Sequence, residues 1–264
     1  MKTLNGKELA DFIKERQSHE VRALKKAPTL LIVRDNNSPV IDKYVHLKIN
    51  YGDDIGIKVI DYLVPSTEKL IEKIKEANKD PNIDAIILQL PIKDKDQTDA
   101  ITDLINPAKD VDGLSQTSHF DSATATAILW LMAGYDIKLD HQKIALVGHG
   151  KLVGKPLEIM LKNSHQDVTV FHKGDDLTKL NQYDIIISAT GVPGLILSSM
   201  VKPGAVLVDA GTASEDGVIK GDASDEVRAR NNLTAITPLK GGVGPLTVTC
   251  LFDHVIQAAK TNQK

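Results

Sequence analysis

Short runs of Val and Ile, separated by stretches with helical periodicity, recur along most of the chain and limit its fold more than any other feature. Several of these runs are apolar without alternation, which is typical of parallel strands covered by helices on both faces. Strands and helices in alternation predict an α/β protein. The predicted strands are 29–33, 57–64, 84–90, 143–148, 167–172, 184–190 and 205–211.

The predicted strands form two groups, and a loop-rich stretch over 105–125 separates them. A chain of 264 residues is long enough for two modest domains, each with its own core. We therefore predict one α/β domain over 1–120 and a second, with a Rossmann-like parallel sheet, over 121–244. Helical periodicity also extends over 245–264, but it does not decide on which domain this last helix packs.

Composition and charge exclude several classes of protein. The formal net charge of −3 does not favour a nucleic-acid-binding surface. The single cysteine, Cys250, excludes an intrachain disulfide and a cysteine-cluster metal site, and the eight histidines lack metal-ligand spacing, so we predict no metal. No stretch approaches the roughly 20 apolar residues that span a bilayer. With an N-terminus that resembles an amphipathic helix rather than a signal peptide, we expect a cytoplasmic protein without membrane partners.

A glycine-rich stretch, VGHGKLVGKP over 147–156, follows the fourth predicted strand. Its glycines, Gly148, Gly150 and Gly154, would let backbone N–H groups approach phosphate oxygens closely. Pro156 suits the first turn of the next helix, whose N-terminus favours an anion. The stretch predicts a dinucleotide-binding loop, and a glycine-rich turn without a ligand is the alternative.

Two further segments favour a dinucleotide. The strand over 167–172 ends at His172 and Lys173, where an acidic residue would favour NAD, and a lysine there suits a 2′-phosphate better than a bare ribose. The segment SATGVPGLI over 188–196 places small residues at the end of a parallel strand. The predicted cofactor-binding residues are Gly148, His149, Gly150, Val153, Gly154, His172, Lys173, Thr190 and Gly191.

The helix after the first predicted strand starts at Ser38 and Pro39, which suit an N-cap and a first helical position. Tyr44 and Lys48 are four residues apart and therefore share one face of this helix. Taken alone, the pair is interpreted most simply as a half-buried tyrosine beside a lysine whose aliphatic stem covers apolar surface.

Six stretches in this order resemble the bifunctional methylenetetrahydrofolate dehydrogenase/methenyltetrahydrofolate cyclohydrolase family. The resemblance covers essentially the whole chain, and its most specific pieces are KDVDG and GGVGP. The stretches are YVHLK (44–48), LQLP (88–91), KDVDG (109–113), VGHGKLVGKP (147–156), VKPGAVLVDAG (201–211) and ITPLKGGVGPLT (236–247).

The resemblance implies oxidation of methylenetetrahydrofolate with a nicotinamide cofactor and then hydrolysis of the methenyl cation to formyltetrahydrofolate. It implies a substrate cleft between two α/β domains, a last helix that returns to the first domain, and a homodimer. It also implies catalytic roles for Lys48, Tyr44 and Gln89, and pterin binding by Asp112, which is otherwise a turn or helix-cap residue. The implied substrate-binding residues are Tyr44, Lys48, Leu90, Pro91, Asp112, Gly241, Gly242 and Pro245.

Hydrolysis in this family needs a group that deprotonates water and then protonates a ring nitrogen. One lysine can do both only if its pKa is lowered toward neutrality, as burial beside a cationic substrate would do. A glutamine can orient the amine without restoring its charge. We therefore predict acid–base chemistry at Lys48, with Gln89 and Tyr44 orienting.

The chain departs from the family pattern mainly on the cofactor side. His149 and Gly150 replace an Arg-Ser pair, and Lys173 stands where a serine shares the 2′-phosphate. The segment SATA over 122–125 replaces Pro-Cys-Thr-Pro, and Lys240 replaces a proline. We predict NADP, with NAD as the alternative cofactor. Two other functions stay open: a different two-domain dehydrogenase of small acids, and a non-catalytic folate- or nucleotide-binding relative.

Overall fold

The structure is a computed structural model that describes residues 1–211, 213–215 and 218–263. The strands are β1 (Lys2–Thr3), β2 (Thr29–Arg34), β3 (Lys58–Leu63), β4 (Ala85–Leu88), β5 (Ile144–Val147), β6 (Val168–Phe171), β7 (Ile185–Ser188), β8 (Val206–Asp209), β9 (Ala213–Glu215), β10 (Val218–Lys220) and β11 (Ala235–Ile236). The α-helices are α1 (Gly6–Arg22), α2 (Pro39–Ile55), α3 (Thr67–Lys79), α4 (Thr98–Thr102), α5 (Ala123–Gly134), α6 (Gly154–Asn163), α7 (Asp225–Arg228) and α8 (Val243–Asn262). Short 3-10 helices lie at Lys95–Gln97, Leu177–Gln182 and Ser198–Met200.

The chain divides into two compact units. The three-strand unit consists of Asp11–Ala123 and Val248–Lys264, and the six-strand unit consists of Met1–Ala10 and Thr124–Thr247. The chain passes from one unit to the other within α1, at the start of α5 and within α8. This two-unit α/β organisation confirms the predicted fold class.

The three-strand unit contains a parallel sheet in the order β3–β2–β4. Its central strand, β2, is buried at every position, and β4 is buried likewise. The apolar face of α3 packs its buried residues Leu70 and Ile74 into the same core as Leu31 and Ile86. By contrast, β3 is an edge strand whose residues are half-buried or exposed. The carboxyl ends of β2 and β4 therefore lie side by side at one edge of this sheet.

Helix α2 follows β2 and has strong local signals at both ends. The Ser38 hydroxyl accepts a hydrogen bond from the backbone N–H of Ile41, and Pro39 occupies the first turn, as predicted. The helix ends at Gly56, whose φ of +84° lies in the left-handed region that favours glycine. The two ends of α2 are thus marked by residues that flank it directly.

The six-strand unit contains a parallel sheet in the order β1–β11–β8–β7–β5–β6. Val147 is in register with Phe171 on one side and Ser188 on the other, so β5, β6 and β7 end together. The loops that follow these strands consequently meet at one edge, where dinucleotides bind in open α/β sheets. Buried residues such as Ala145 and Ile186 form the core below that edge.

The seven predicted strands are all present, with bounds that differ by at most two residues. Strands β1, β9, β10 and β11 were not predicted, because strands of two or three residues are too short to show periodicity. Strand β1 pairs with β11 through Lys2 opposite Ala235. For that reason Met1–Ala10 belongs to the six-strand unit, which differs from the domain predicted over 1–120.

Candidate active site

Lys48 and Gln89 form a direct hydrogen bond in the three-strand unit. Lys48 is half-buried on α2, and its Nζ donates to Oε1 of Gln89 at 2.8 Å. Gln89 directly follows β4 and is only 9% exposed. Its Nε2 donates to the backbone oxygen of Leu90 at 2.9 Å, and its backbone N–H donates to the backbone oxygen of Val33. Because both ends of the amide are engaged, Gln89 presents an acceptor oxygen to the amine.

Burial lowers the pKa of Lys48 from its ordinary value, and the negative charge of Asp112 partly opposes that shift. Gln89 is neutral and does not restore the charge of the amine. A primary amine in this environment releases and accepts protons closer to neutral pH than an exposed lysine does. The geometry therefore suits a group that takes a proton from water and returns it.

Asp112 interacts electrostatically with Lys48 and has the opposite shift. Burial raises the pKa of Asp112 to about 6, an effect that Lys48 opposes and Asp110 increases. Asp112 is half-buried. At pH 7 most of this carboxyl is ionised, and it can accept hydrogen bonds from a ligand.

The first half of the KDVDG motif fastens this segment to the fold. Lys109 is buried, and its Nζ donates to the backbone oxygens of Ala77 at 2.9 Å and Asp80 at 2.8 Å. The backbone N–H of Ile86 donates to the oxygen of Lys109 at 2.7 Å, and Asp110 continues the pairing beside β4. Lys109 and Asp110 thus have structural roles.

The backbone on both sides of Asp112 is held in place. His254 on α8 is buried, and its Nδ1 donates to the backbone oxygen of Val111 at 2.8 Å. Burial lowers the pKa of His254, so this ring is neutral at physiological pH. Gly113 has a φ of +68°, and a Cβ there would overlap the backbone oxygen of Asp121. Sequence reasoning missed His254, because nothing near it along the chain marks the contact.

Tyr44 lies one turn before Lys48 on α2 and is 44% exposed. Leu90 and Pro91 follow Gln89 and are joined by a cis peptide bond. The backbone oxygen of Pro91 accepts a hydrogen bond from Nδ2 of Asn36 at 3.3 Å. The structure therefore brings together Lys48, Gln89 and Asp112, with Tyr44 on the helix that carries the lysine.

Two of the three glycines in the loop after β5 are required by the backbone. Gly148 has a φ of +96°, and a Cβ on it would lie 2.9 Å from the oxygen of Ala189. A Cβ on Gly154 would overlap the backbone oxygen of Gly148. Gly150 differs, because a Cβ there would meet no atom within 4 Å. The loop after β5 thus packs tightly against the loop after β7.

Helix α6 starts at Gly154, directly after this loop. Its N-cap residue, Val153, has no polar side chain that could bind the first backbone N–H groups of the helix. The N–H of Lys155 already donates to the backbone oxygen of Gly150 at 3.0 Å, and Pro156 has no N–H, so it is the positive end of the helix dipole that suits a phosphate. The tight glycine turn and the uncapped helix start together fit the pyrophosphate of a dinucleotide.

The segment after β7 is positioned by an aspartate that the sequence did not reveal. Asp222 is buried and accepts from the Ser188 hydroxyl at 2.6 Å and the Thr190 backbone N–H at 2.7 Å. The Thr190 hydroxyl accepts from the N–H of Val192 at 3.1 Å, and Gly191 has a φ of +68°. Asp222 comes from a distant part of the chain, so only the folded sheet shows this contact.

His149 has a side-chain partner that the sequence did not reveal. Nε2 of His149 donates to Oε2 of Glu158 at 2.6 Å, and its ring lies edge-on to His172. Lys173 is exposed. Glu158 also accepts from Lys162 at 2.6 Å, and in the sequence these two look like an ordinary helix-surface ion pair. The partner of His149 was therefore missed.

The other predicted substrate residues belong to the six-strand unit. Gly241 has a φ of +81°, and its backbone oxygen accepts from the N–H of Lys7 at 3.0 Å. Gly242 is buried, and a Cβ on Gly6 would overlap its backbone oxygen. Pro245 lies in the first turn of α8. Contacts within the six-strand unit therefore account for the positions of Gly241 and Gly242 without a ligand.

No cluster of three or more His, Cys, Asp or Glu side chains within the described residues could hold a metal ion. In the same part of the chain, no helix is long and apolar enough to cross a membrane.

Family comparisons agree with the resemblance drawn from the motifs and confirm it. Residues 4–112 match the model of the tetrahydrofolate dehydrogenase/cyclohydrolase catalytic domain. Residues 122–263 match the NAD(P)-binding domain of the same family. Together the two matches cover nearly the whole chain.

Individual relatives also align with this chain over nearly the whole length of both proteins. The bifunctional protein FolD of Lacticaseibacillus casei is 35% identical, over 98% of this chain and 96% of the relative. A crystal structure of the bifunctional FolD enzyme from Campylobacter jejuni superposes with a TM-score of 0.91 at 31% identity, over 99% of both chains. The Trypanosoma brucei dehydrogenase-cyclohydrolase, solved with NADP and an inhibitor, gives a TM-score of 0.90 at 26% identity, over 98% of this chain and 97% of that one.

Proposed function

Because this chain belongs to the tetrahydrofolate dehydrogenase/cyclohydrolase family, we propose that it oxidises methylenetetrahydrofolate with NADP and hydrolyses the methenyl product to formyltetrahydrofolate. The observation that carries the proposal is the half-buried Lys48 amine, bonded to Gln89 at 2.8 Å and close enough to Asp112 to interact with it. An isolated surface lysine would have neither a fixed acceptor nor a lowered pKa.

In the hydrolytic step, a water molecule attacks the methenyl carbon between two nitrogens. Lys48 accepts a proton from that water as the C–O bond forms. The same amine, now charged, donates the proton to the nitrogen whose C–N bond breaks. The remaining hydroxyl proton leaves to solvent as the C=O bond of the formyl group forms on the other nitrogen. The lowered pKa of Lys48 allows both transfers near neutral pH.

Gln89 and Asp112 have different roles in this proposal. Gln89 holds the Lys48 amine through Oε1 without adding a charge that would favour its protonated form. Asp112 accepts hydrogen bonds from the amino-pyrimidine edge of the pterin. Tyr44 contributes an aromatic face and a hydroxyl to the substrate from the adjacent turn of α2.

The cofactor is proposed to bind at the carboxyl edge of the six-strand sheet. The loop over 148–153, the start of α6, and Thr190 with Gly191 would hold its phosphates and ribose. NADP is favoured because His172 and Lys173 follow β6 where NAD-binding sheets carry an acid. A relative solved with NADP supports this choice. When bound, the nicotinamide supplies the hydride acceptor, and the protein positions the two reactants.

We also propose that the protein is a homodimer located in the cytoplasm. Strand β3 is an unpaired edge in the described sheet, and Tyr62 and Leu63 on it are 44% and 48% exposed. An edge strand with exposed apolar side chains is suited to pairing with a second copy. Sedimentation at micromolar concentration would test this, because a monomer there contradicts the dimer.

Two assays test the enzymatic proposal. Purified protein given methylenetetrahydrofolate and NADP should produce the absorbance of the methenyl product, and supplied methenyltetrahydrofolate should be hydrolysed. No signal with either NADP or NAD would contradict the dehydrogenase activity. Folate binding without turnover in either assay would favour a non-catalytic relative.

A further inference from the structure

A buried histidine next to the Asp112 segment has no role in the reaction steps proposed above. His254 lies on α8 and is 6% exposed. Its Nδ1 donates to the backbone oxygen of Val111 at 2.8 Å, across 143 positions of the chain. The ring also stacks on Phe120, with centroids 5.0 Å apart and 28° between the planes. One side chain of α8 therefore contacts the segment that carries Asp112 on both sides of that residue.

The bond to Val111 determines which ring nitrogen of His254 carries a hydrogen. A carbonyl oxygen only accepts, so the hydrogen is on Nδ1. Burial is the main cause that lowers the pKa of His254, and the bond to Val111 and the charge of Asp253 oppose that shift. The ring is therefore neutral at physiological pH, and it acts on Val111 as a hydrogen-bond donor rather than as a charge.

Val111 matters for Asp112 because the two residues share a peptide group. The carbonyl of Val111 and the N–H of Asp112 lie in one plane, so the His254 bond holds the plane that precedes the Asp112 Cα. The plane that follows is held as well. Its carbonyl, that of Asp112, accepts from the N–H of Ala123 at 3.2 Å, and its N–H donates to the oxygen of Asp110 at 3.2 Å. With both planes held, the direction in which the Asp112 side chain leaves the backbone is defined.

We propose that His254 is a positioning residue for the substrate: by holding the peptide group before Asp112, it keeps the carboxylate directed at the amino-pyrimidine edge of the pterin. His254 needs no contact with the substrate to do this. Loss of its hydrogen bond frees the Val111 peptide group to rotate, which lowers substrate affinity and leaves the proton transfers at Lys48 unchanged. This inference rests on the proposed folate activity.

Steady-state hydrolysis of methenyltetrahydrofolate by the full chain, together with thermal melts, tests the proposal. His254→Phe keeps a ring that can stack on Phe120 but has no donor. His254→Asn loses the ring, but its Nδ2 replaces Nδ1 of histidine and keeps a donor. His254→Ala loses both. His19→Phe makes the same exchange at an exposed position of α1 and is the control.

The expected effects on KM follow the donor and not the ring. In His254→Phe and His254→Ala, KM should rise about tenfold, which is the effect of one hydrogen bond. The kcat should stay within about twofold, because the lost interaction contributes equally to the bound substrate and to the transition state. His254→Asn should keep KM within about twofold of the wild type although its melting temperature falls. His19→Phe should match the wild type.

A double variant tests whether His254 acts through Asp112. The quantity compared is kcat/KM, which stays measurable when binding is weak. In an Asp112→Ala background, His254→Phe should cause no further fall in kcat/KM, since the side chain that His254 positions is absent. Equal falls with and without Asp112 would show that the two residues act independently and would overturn the inference.

The remaining outcomes separate this inference from the proposed function. An unchanged KM in His254→Phe, or a KM that follows the melting temperature across the His254 variants, overturns the inference and leaves the enzymatic proposal standing. If His254→Phe does not fold, the comparison of His254→Asn with His254→Ala decides, because only Asn keeps the donor. A wild-type chain that does not hydrolyse methenyltetrahydrofolate overturns the proposed hydrolysis and this inference with it.

Discussion

The Lys48 site and the loop after β5 are built in opposite ways. The Lys48 site consists of side chains from three separated segments, and its chemistry depends on burial that shifts the pKa of Lys48 down and that of Asp112 up. The loop consists mainly of backbone, and Gly148 and Gly154 are needed because a Cβ would strain or block the turn.

This difference predicts different responses to mutation. A site made of side chains should lose chemistry without losing the fold when a functional group is removed. A site made of backbone should lose its shape when an atom is added. Substitutions in the two regions therefore test whether the sites differ in this way.

The largest effect is expected at the amine. Lys48→Met should lower the rate of methenyltetrahydrofolate hydrolysis by about 10²- to 10⁴-fold, because the variant lacks the amine that Gln89 holds to transfer the proton. NADP affinity and the melting temperature should remain near wild type. Lys43→Met, an exposed position on the same helix, is the control, and equal losses in both variants would remove the amine from the mechanism.

The loop should respond to one added methyl group. Gly154→Ala should lower the free energy of unfolding by about 1–3 kcal/mol and weaken NADP binding, since the new Cβ would overlap the oxygen of Gly148. Gly150→Ala has open space and should change stability by less than about 0.5 kcal/mol. Chemical denaturation and nucleotide titration measure both, and similar values for the two variants would contradict a backbone-defined loop.

The KDVDG motif offers a sharper test, because it contains both kinds of residue. Lys109→Met removes the ammonium that donates to two backbone oxygens, each of which keeps one backbone N–H donor. The loss of these charged hydrogen bonds should cost about 2 kcal/mol of unfolding free energy, with little change in the rate constant of the folded enzyme. Lys75→Met on the exposed side of α3 is the control. A Lys109→Met enzyme of normal stability but no activity would contradict the structural role.

The smallest effect is the pH dependence of folate binding. The Asp112 carboxylate should bind the pterin while ionised, so affinity should be constant well above pH 6 and fall as the pH drops through about 6. Below that value the loss should approach about tenfold per pH unit. Asp112→Asn should bind weakly with a flat profile between pH 5 and 8. A wild-type profile that is equally flat would show that the carboxylate does not bind the substrate.

Much of the fold and of the site could be predicted from sequence because their signals are local. The core strands carry uninterrupted Val and Ile runs, and α2 has its cap at Ser38 and its stop at Gly56. Strand β1 was missed, since two residues show no periodicity and its pairing with β11 involves the opposite end of the chain. That pairing transfers Met1–Ala10 to the six-strand unit.

The α/β class, the two groups of strands, the glycine loop and the residue types available for chemistry can all be read from the order of residues along the chain. Only the tertiary structure decided which of these groups meet. Lys48 and Gln89 are 41 positions apart, and their bond exists because α2 and the end of β4 converge at one sheet edge. Likewise, Glu158 looks like a surface residue until α6 brings it to His149. Electrostatic and hydrogen-bonding interactions depend on distance and burial in space, which spacing along the chain does not specify.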